Sequence, residues 1–300
     1  MKKRILVIGG TRFFGIHLVQ RLIDAGHAVT IATRGRAGDP FRDAVRRLHV
    51  DRRDPAAMAT AFADGAEFDV VFDQMCYRAQ DARIAADVLR GRVGRYVMAS
   101  TLEVYDRCYG ATARPFVESD AVLDDGGPEV EAPDYPDGKR QAEAVLAATD
   151  AFPVVRVRIG HVVAGPEDFT GRLQGYVARV RAGAALRHSH PSARTSFIGI
   201  AGITAFLAWA GDAALTGPIN AASHAWSAVE LHERVAAALG QPARREPVTA
   251  AVPPTTLSAF DYATPYEMST ARATDAGHRF DPDDGWLDDA IQRHATAFAA

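Results

Sequence analysis

Short, continuous apolar runs alternate along the first half of the chain with stretches in which apolar residues recur at helical spacing. Runs of strand length occupy residues 5–8, 28–32, 47–50, 70–73, 95–99 and 154–159. Helical patterns occupy residues 16–25, 56–63, 79–89 and 138–148. Strands that are buried on both faces read as unbroken apolar runs, so this alternation predicts an α/β fold built on a doubly wound parallel sheet.

The rhythm changes after about residue 160. Helical patterns at 173–182, 202–210 and 229–239 are separated by short strands and by proline-rich loops such as 252–256. The longest uncharged stretch, 195–211, contains three glycines and is shorter than a bilayer span, so we interpret it as a strand followed by a buried helix. These patterns predict a smaller C-terminal α/β lobe.

Composition narrows the class of protein. The 300 residues are 48% hydrophobic and 24% charged, which is typical of a globular chain of roughly two domains. A net charge of -3 gives no general attraction to nucleic acid or to a membrane, so we expect neither as a partner. The apolar run from Ile5 breaks at Thr11 and Arg12, too early for a signal peptide, and we expect a cytoplasmic protein.

Cysteine and histidine usage predicts neither disulfides nor a metal site. Two cysteines, Cys76 and Cys108, are too few for a disulfide framework or a four-cysteine metal site. His188 and His190 form a loop pair with no carboxylate or third ligand close in sequence, so we expect no metal there.

A glycine-rich segment follows the first predicted strand and opens the first predicted helix. Glycines at such a turn let backbone amides approach a pyrophosphate at the helix N-terminus, which predicts a dinucleotide site. The candidate cofactor-binding residues of the turn are Gly9, Gly10, Thr11, Arg12, Phe13, Phe14 and Gly15.

The end of the second strand bears on which dinucleotide is bound. NAD sites usually place a carboxylate there for the ribose 2′-hydroxyl, whereas this chain has Arg34 and Arg36. Guanidinium groups suit a 2′-phosphate, and Arg12 adds a third positive group, so NADP(H) is favoured over NAD(H). The alternative is that both arginines are solvated loop charges.

A candidate catalytic group follows the fifth predicted strand. Ser100 and Thr101 stand at its end, and Tyr135 and Lys139 lie four residues apart, on one face of a helix. A lysine ammonium favours the phenolate and lowers the tyrosine pKa, while a strand-end hydroxyl polarises a carbonyl. We therefore expect a Thr101, Tyr135 and Lys139 proton relay beside a nicotinamide.

With these residues assembled, the chain resembles the short-chain dehydrogenase/reductase superfamily, in the extended or atypical branch grouped as NAD-dependent epimerases and dehydratases. The glycine-turn variant is similar to that of an atypical subgroup that includes the chloroplast stem-loop-binding proteins. The resemblance implies a Rossmann domain over residues 1–160 and a mainly substrate-binding lobe over 161–300, with some return to the first sheet. The segments that carry the resemblance are 9–15, 51–54, 100–105, 135–143, 158–168 and Asn220.

The resemblance also implies residue roles. Tyr135 would be the general acid/base, Lys139 would bind the ribose and lower the tyrosine pKa, and Thr101 would be the hydroxyl partner, with Ser100 as its neighbouring candidate. The remaining implied cofactor contacts are Asp51 and Arg52 at the adenine, Gln74, Met75 and Cys76 in the cofactor channel, and Ile159 to His161 at the nicotinamide and substrate.

Two departures from the family pattern bear on the site. Arg12 replaces the middle glycine of the turn, and 34 residues separate Thr101 from Tyr135, more than the family pattern leads us to expect. An insertion of that kind has the potential to move Tyr135 off the relay, so Tyr105 is kept as a distant second choice.

Two charged sets bear on the substrate. An acidic run without lysine or arginine lies between Pro115 and Gly138; it is either a solvated loop or an overhang that attracts amines. A set of C-terminal arginines is either a diphosphate clamp or a solvated face. The acidic residues are Glu118, Asp120, Asp124, Asp125, Glu129, Glu131, Asp134 and Asp137, and the arginines are Arg172, Arg179, Arg181, Arg187 and Arg194.

Three functions fit these observations. The first is an NADP(H)-dependent oxidoreductase that reduces a ketone, or oxidises a secondary alcohol, on a polar carbohydrate-like or natural-product substrate. The second is a redox-neutral nucleotide-sugar epimerase or dehydratase that retains its cofactor. The third is a non-catalytic RNA-binding member, which the acidic charge disfavours. Paired helices after Ala79 and Gly138 make a homodimer plausible.

Overall fold

The computed structural model describes residues 1–123, 134–249 and 257–297. Its strands in chain order are β1 Arg4–Ile8, β2 Ala28–Thr33, β3 Val45–His49, β4 Val70–Asp73, β5 Tyr96–Thr101, β6 Val154–Ile159, β7 His161–Val163, β8 Leu186–Ser189, β9 Arg194–Gly199, β10 Gly217–Ala221, β11 His224–Ser227 and β12 Arg245–Val248. Its α-helices are α1 Phe14–Asp24, α2 Pro55–Ala61, α3 Ala79–Leu89, α4 Tyr135–Ala148, α5 Arg172–Arg181, α6 Ile200–Asp212, α7 Ala228–Ala238, α8 Ala271–Asp275 and α9 Gly285–Ala297.

A parallel sheet forms the centre of the molecule. Within the described ranges it has seven strands in the order β3-β2-β1-β4-β5-β6-β10, and every pairing in it is parallel. The strand order reverses between β1 and β4, and open sheets of this kind bind ligands at the carboxyl ends beside such a reversal. The predicted doubly wound α/β fold is confirmed.

Helices cover both faces of the sheet because its strands are apolar on both sides. On one face α1 and α6 bury Leu18, Val19 and Phe206 against the sheet. On the other face α2, α3 and α4 bury Met58, Ile84 and other apolar side chains. The uncharged stretch 195–211 forms most of β9 and α6, as the sequence predicts.

A smaller lobe follows β6. It contains a three-stranded sheet in the order β11-β9-β7 and the parallel pair β12-β8. Its core includes Tyr176, Phe197, Leu231, Phe260 and Ile291, which come from α5, α7, α9 and the strands between them. Residues of α6 and β10 return to the central sheet, so the chain after residue 160 serves both lobes.

Several element boundaries differ from the sequence pattern by a few residues, and two of these shifts, at β5 and α4, bear on the site. Strand β5 continues to Thr101, past the apolar run that ends at residue 99. Helix α4 begins at Tyr135 rather than Gly138, because the Asp134 carboxylate accepts a hydrogen bond from the Asp137 N–H at 2.9 Å and Pro136 occupies the first turn. The predicted loop 252–256 lies outside the described residues.

In the parts of the chain that the structure describes, no helix combines the length and the apolar character that a bilayer crossing requires.

Candidate active site

The glycine turn between β1 and α1 has the backbone that the sequence predicts. Gly9 and Gly10 have φ angles of +100° and +86°, which favour glycine. A Cβ on Gly9 would lie 2.9 Å from Met75 Cγ, and one on Gly15 would lie 2.3 Å from Gln74 Oε1. The turn therefore leaves no room for side chains at these positions, and its amides lie at the start of α1.

The N-terminus of α1 fits an anionic ligand. No side chain caps this eleven-residue helix, and its first turn contains no acidic residue, so no negative charge there compensates the positive end of the helix dipole. Phe13 holds a φ of +49°, which is rare for a bulky residue and stores strain at the turn. Gln74 adds a buried Nε2 donor that has no partner among the described residues. These features fit a dinucleotide pyrophosphate.

The end of β2 presents two charged side chains. Arg34 and Arg36 are both exposed, and neither forms an ion pair within the described parts of the chain. Thr11 is partly buried and Arg12 is exposed within the turn. Three guanidinium groups are thus available near the turn and the β2 end, where the sequence places the cofactor.

The two residues that the resemblance places at the adenine differ in exposure. Asp51 is exposed, and its carboxylate accepts a hydrogen bond from the Arg53 N–H at 3.0 Å. Arg52 is buried instead, because its guanidinium pairs with Asp73 at 3.0 Å and donates to the Asp81 carbonyl at 2.7 Å. The Arg52 side chain therefore links the segment after β3 to β4 and α3, and its guanidinium is used within the protein.

The three residues that follow β4 also differ in exposure. Met75 is 37% exposed beside the glycine turn, as a channel-lining residue should be. Cys76 is fully buried, and burial raises the pKa of its thiol to about 12, so it packs in the core and does not line the channel in this conformation. Gln74 is partly buried next to Gly15.

The proposed catalytic hydroxyls lie together at the carboxyl end of β5. The Tyr135 phenol lies close enough to the Thr101 hydroxyl for that hydroxyl to lower its pKa, and the residue is 47% exposed. The Thr101 hydroxyl oxygen also accepts a hydrogen bond from the Glu103 N–H at 3.2 Å. The 34-residue separation between Thr101 and Tyr135 thus does not keep the two hydroxyls apart.

Lys139 lies one turn further along α4 and points the same way. Its Nζ donates to the Ala99 carbonyl at 2.7 Å and lies 4.4 Å from the centre of the Tyr77 ring and 5.8 Å from that of Tyr135. Burial lowers the pKa of the Lys139 ammonium. The three predicted relay residues are therefore neighbours.

The expected lowering of the Tyr135 pKa by Lys139 is not found. Burial raises the pKa of Tyr135, its hydrogen bond with Thr101 lowers it, and the negative charge of Glu103 raises it further. The Lys139 ammonium instead donates to the Ala99 carbonyl and lies over the Tyr77 ring. Burial is therefore the largest influence on the pKa of the Tyr135 phenol.

Ser100 differs from Thr101 in having a structural role. Its hydroxyl donates to Glu143 Oε1 at 2.5 Å, and Glu143 pairs with Arg158 at 2.8 Å. Both charged side chains are almost completely buried, and they tie β5, α4 and β6 together. Ser100 is therefore a support beneath the site, and its hydroxyl is not free for a ligand.

Tyr105, the second choice for the catalytic phenol, is buried in the same network. It donates to Asn220 Oδ1 at 2.7 Å and accepts from Arg158 Nη1 at 2.9 Å, and burial raises the pKa of Tyr105 to about 12. Its hydroxyl has no path to a substrate, which leaves Tyr135 as the candidate.

The residues after β6 form the opposite wall. Ile159 is buried beside Thr101 in the sheet register. His161 is buried; its Nδ1 lies 3.2 Å from Arg172 Nη1 and its Nε2 lies 3.3 Å from the Tyr262 hydroxyl. Burial lowers the pKa of His161 well below its usual range, so the ring is neutral.

Two side chains near the relay are missing from the sequence prediction. Tyr77, on the loop after β4, lies under the Lys139 ammonium and 6.0 Å, centre to centre, from the Tyr135 ring. Glu103 follows Thr101 by two residues and is partly buried. The position of both just beyond parallel strand ends is a usable signal, because such ends meet at one edge of the sheet.

The acidic run does not form a single charged surface where it is described. Glu118 is buried and accepts from the Asn220 N–H at 2.9 Å, Asp120 pairs with Arg114 at 2.7 Å, and Asp137 pairs with Arg107 at 2.5 Å. Asp134 caps α4. The run members that lie outside the described residues are Asp124, Asp125, Glu129 and Glu131.

The C-terminal arginines do not converge on one ligand. Arg187 pairs with Glu246 at 3.5 Å, Arg194 pairs with Glu230 at 3.0 Å, and Arg181 donates to the Ala295 carbonyl at 2.5 Å. Only Arg172 of the predicted set faces His161 and the relay side of the molecule. A clamp of several arginines for a diphosphate is therefore not assembled here.

Comparisons with known proteins place the chain among related sequences. The family model described as "NAD dependent epimerase/dehydratase family" matches residues 5–194. The 2'-dehydrokanamycin reductase of Streptomyces kanamyceticus is 30% identical over 249 residues, covering 80% of this chain and 67% of that protein. A chloroplast stem-loop binding protein of 41 kDa from Arabidopsis thaliana is 31% identical over 135 residues, covering 40% of this chain and 34% of that protein. The matched region thus spans about a third of the plant relative.

Solved structures share the fold at low sequence identity. A Bordetella bronchiseptica enzyme in complex with NAD and UDP gives a TM-score of 0.77 at 19% identity, covering 100% of this chain and 96% of that one. The UDP-N-acetylglucosamine 4-epimerase of Methanobrevibacter ruminantium gives 0.77 at 16% identity, covering 99% and 100%.

Together these comparisons agree with the α/β fold and the order of the strands in the central sheet. The family and its reductase relative point to an enzyme of the oxidoreductase or epimerase type that uses a nicotinamide dinucleotide. The family model covers more than half of the 300 residues, so this chain belongs to the NAD-dependent epimerase/dehydratase family.

Proposed function

We propose that this protein is an NADP(H)-dependent oxidoreductase that reduces a ketone on a polar, carbohydrate-like or natural-product substrate. One observation carries the proposal. The phenol of Tyr135 lies beside the Thr101 hydroxyl at the carboxyl end of β5, and the Lys139 ammonium lies 5.8 Å from the centre of its ring. Two hydroxyls at that place suit the oxygen of a substrate carbonyl.

When bound, NADPH supplies the hydride. The chain's own residues bind, orient and protonate the substrate. Thr101 and Tyr135 donate hydrogen bonds to the carbonyl oxygen and polarise it, and Tyr135 transfers its proton to that oxygen as charge develops there. Lys139, whose Nζ lies 5.8 Å from the centre of the Tyr135 ring, is the positive group beside the phenol in the proposed relay.

The preference for NADP(H) is supported by Arg34 and Arg36. Both are exposed at the end of β2 without carboxylate partners in the described ranges, and no acidic residue stands at that strand end to receive a 2′-hydroxyl. A 2′-phosphate would gain charge-assisted hydrogen bonds from either guanidinium.

Net reduction is favoured over redox-neutral epimerisation by the arrangement of the second lobe. Nucleotide-sugar enzymes need positive groups for a diphosphate, and here Arg187 and Arg194 are paired with carboxylates, while Arg181 is bound to a carbonyl. The sequence similarity to 2'-dehydrokanamycin reductase over most of the chain agrees with this choice. Epimerisation is the second candidate, supported by the family model and by structural likeness to epimerases.

The proposal is tested by following NADPH absorbance at 340 nm with a panel of keto-sugars and 2'-dehydrokanamycin. We expect one NADPH to be oxidised for each alcohol formed, with NADH a poorer donor. Conversion of a sugar to its epimer with no net loss of NADPH would establish the second candidate instead.

We also propose that two copies associate through α3 and α4, which pack side by side on one face of the sheet. Light scattering should then give the mass of two chains, and the mass of one chain would remove this proposal.

A further inference from the structure

Glu103 stands next to the proposed reaction site without a partner for its charge. It lies two residues after Thr101, and its own N–H is bound to the Thr101 hydroxyl oxygen at 3.2 Å. Its side chain is partly buried. Within residues 1–123, 134–249 and 257–297, no donor reaches its carboxylate and no cation lies within ion-pair distance.

The two tyrosines on which the charge of Glu103 acts, Tyr262 and Tyr266, direct their hydroxyls elsewhere. The Tyr262 hydroxyl faces His161 Nε2 at 3.3 Å, and the Tyr266 hydroxyl donates to the Leu102 carbonyl at 3.5 Å. The Tyr109 hydroxyl accepts from the Ala263 N–H at 2.8 Å. The rings of these three tyrosines pack against one another, with centres 4.7 to 6.1 Å apart, and together they form an apolar wall.

Among the described residues, Arg172 is the cation whose charge lowers the pKa of this carboxylate, and its guanidinium is held by other contacts. Its Nε donates to the Thr170 hydroxyl at 3.1 Å, its Nη1 lies 3.2 Å from His161 Nδ1, and its guanidinium stacks 4.9 Å from the Phe260 ring centre. Those contacts fix the guanidinium beyond ion-pair distance of Glu103.

Glu103 shares its surroundings with the catalytic phenol. Burial raises the pKa of Tyr135 and of Tyr262, and the charge of Glu103 adds to both shifts. Glu103 itself has a raised pKa, chiefly through burial and also through Asp106. A partly buried carboxylate with no donor is costly, and a cationic ligand group removes that cost.

We propose that Glu103 is the recognition site for a protonated amino group of the substrate, held beside the carbonyl that Thr101 and Tyr135 bind. This inference rests on the proposed function and narrows its substrate class to ketones on amino-substituted rings. An ammonium there would receive a charge-assisted hydrogen bond in surroundings that screen charge weakly. We therefore assign the attraction of an amine to the carboxylate of Glu103 and not to the acidic run, whose described members are paired or buried.

The test compares a charged ligand with its neutral derivative in binding as well as in turnover. Calorimetry would measure the binding of kanamycin, an amino alcohol, and of fully N-acetylated kanamycin to the NADP+-loaded wild type and to Glu103→Gln. Glu67→Gln is the matched control, since Glu67 is exposed, pairs with Arg4 at 3.1 Å and precedes β4 at the opposite end of the sheet.

We expect the wild type and Glu67→Gln to bind kanamycin more tightly than its acetylated form by about tenfold or more, and Glu103→Gln to lose that preference. Equal binding of both ligands by the wild type would overturn the inference. So would a loss in Glu103→Gln that is the same for both ligands, since that indicates a structural role beside Arg172.

Turnover separates this inference from the proposed function. If the wild type prefers kanamycin in calorimetry, Glu103→Gln loses that preference, and the wild type reduces no ketone, the recognition role of Glu103 stands and the reductase proposal falls. If 2'-dehydrokanamycin and its acetylated form are reduced equally well by the wild type and Glu103→Gln, the reductase proposal stands and the recognition role falls.

Discussion

Tyr135 is 47% exposed as a whole residue, while its hydroxyl lies beside that of Thr101, where burial raises its pKa. Removing that one oxygen leaves the ring in place and costs little packing. We expect Tyr135→Phe to lower kcat/KM for ketone reduction by about 10²–10⁴-fold, the usual contribution of a positioned proton donor, with a melting temperature close to that of the wild type. Tyr105→Phe is not a neutral comparison, since it breaks the buried bonds to Arg158 and Asn220.

The pH dependence of that activity follows from the direction of the Tyr135 pKa. Reduction needs the protonated phenol, and a pKa above the ordinary value of about 10 keeps it protonated through the neutral range. We expect kcat/KM to stay level between pH 7 and pH 9, at about its full value, and to fall only at higher pH. A fall centred near neutrality would show that the Tyr135 pKa is lowered in the working enzyme.

A substitution at Arg34 tests the proposed preference for NADP(H) over NAD(H). Arg34→Asp places a negative charge where a 2′-phosphate is expected, so KM for NADPH should rise by about tenfold or more while KM for NADH changes less. Arg90→Asp is the matched control, because Arg90 is an exposed arginine paired with Asp150 at the far end of α3. An unchanged KM for NADPH would identify Arg34 as a solvated loop charge.

The elements under the site are joined by a buried charge network. Glu143 of α4 pairs with Arg158 of β6 and accepts from Ser100 of β5. Removing one partner leaves the other charge buried, so Glu143→Met should lower the free energy of unfolding by about 3–5 kcal/mol in urea denaturation. The double change with Arg158→Met should cost less than the sum of the two single changes. Additive losses would mean that the two side chains act independently.

The presence of a strand or helix was easier to predict from sequence than the residues at which it begins and ends. Apolar runs located β1, β2, β4 and β6 because strands buried on both faces leave an unbroken apolar pattern. The ends of β5 and the start of α4 escaped this pattern, since Thr101 is polar and Tyr135 precedes a proline and a glycine. Those ends hold Thr101 and Tyr135, which motif spacing identified as candidates although the apolar pattern does not reach them.

At the scale of the whole molecule, the site depends on contacts between distant parts of the chain. Motif spacing predicted the glycine turn and the pair of Tyr135 and Lys139, because each lies within one short segment. It did not predict that Arg52 and Ser100 are used within the protein, or that Glu103 lies near Tyr262. Those contacts form only when separate strands and the second lobe pack together, and no local pattern records them.

The most direct measurement of the central claim follows the hydride itself. NADPH carrying deuterium at the transferable C4 position would be incubated with the ketone and the protein, and the product examined by mass spectrometry and NMR. The account predicts one deuterium on the new carbinol carbon, with transfer slowed in Tyr135→Phe. Product formed without deuterium from the added NADPH would contradict net reduction by this protein.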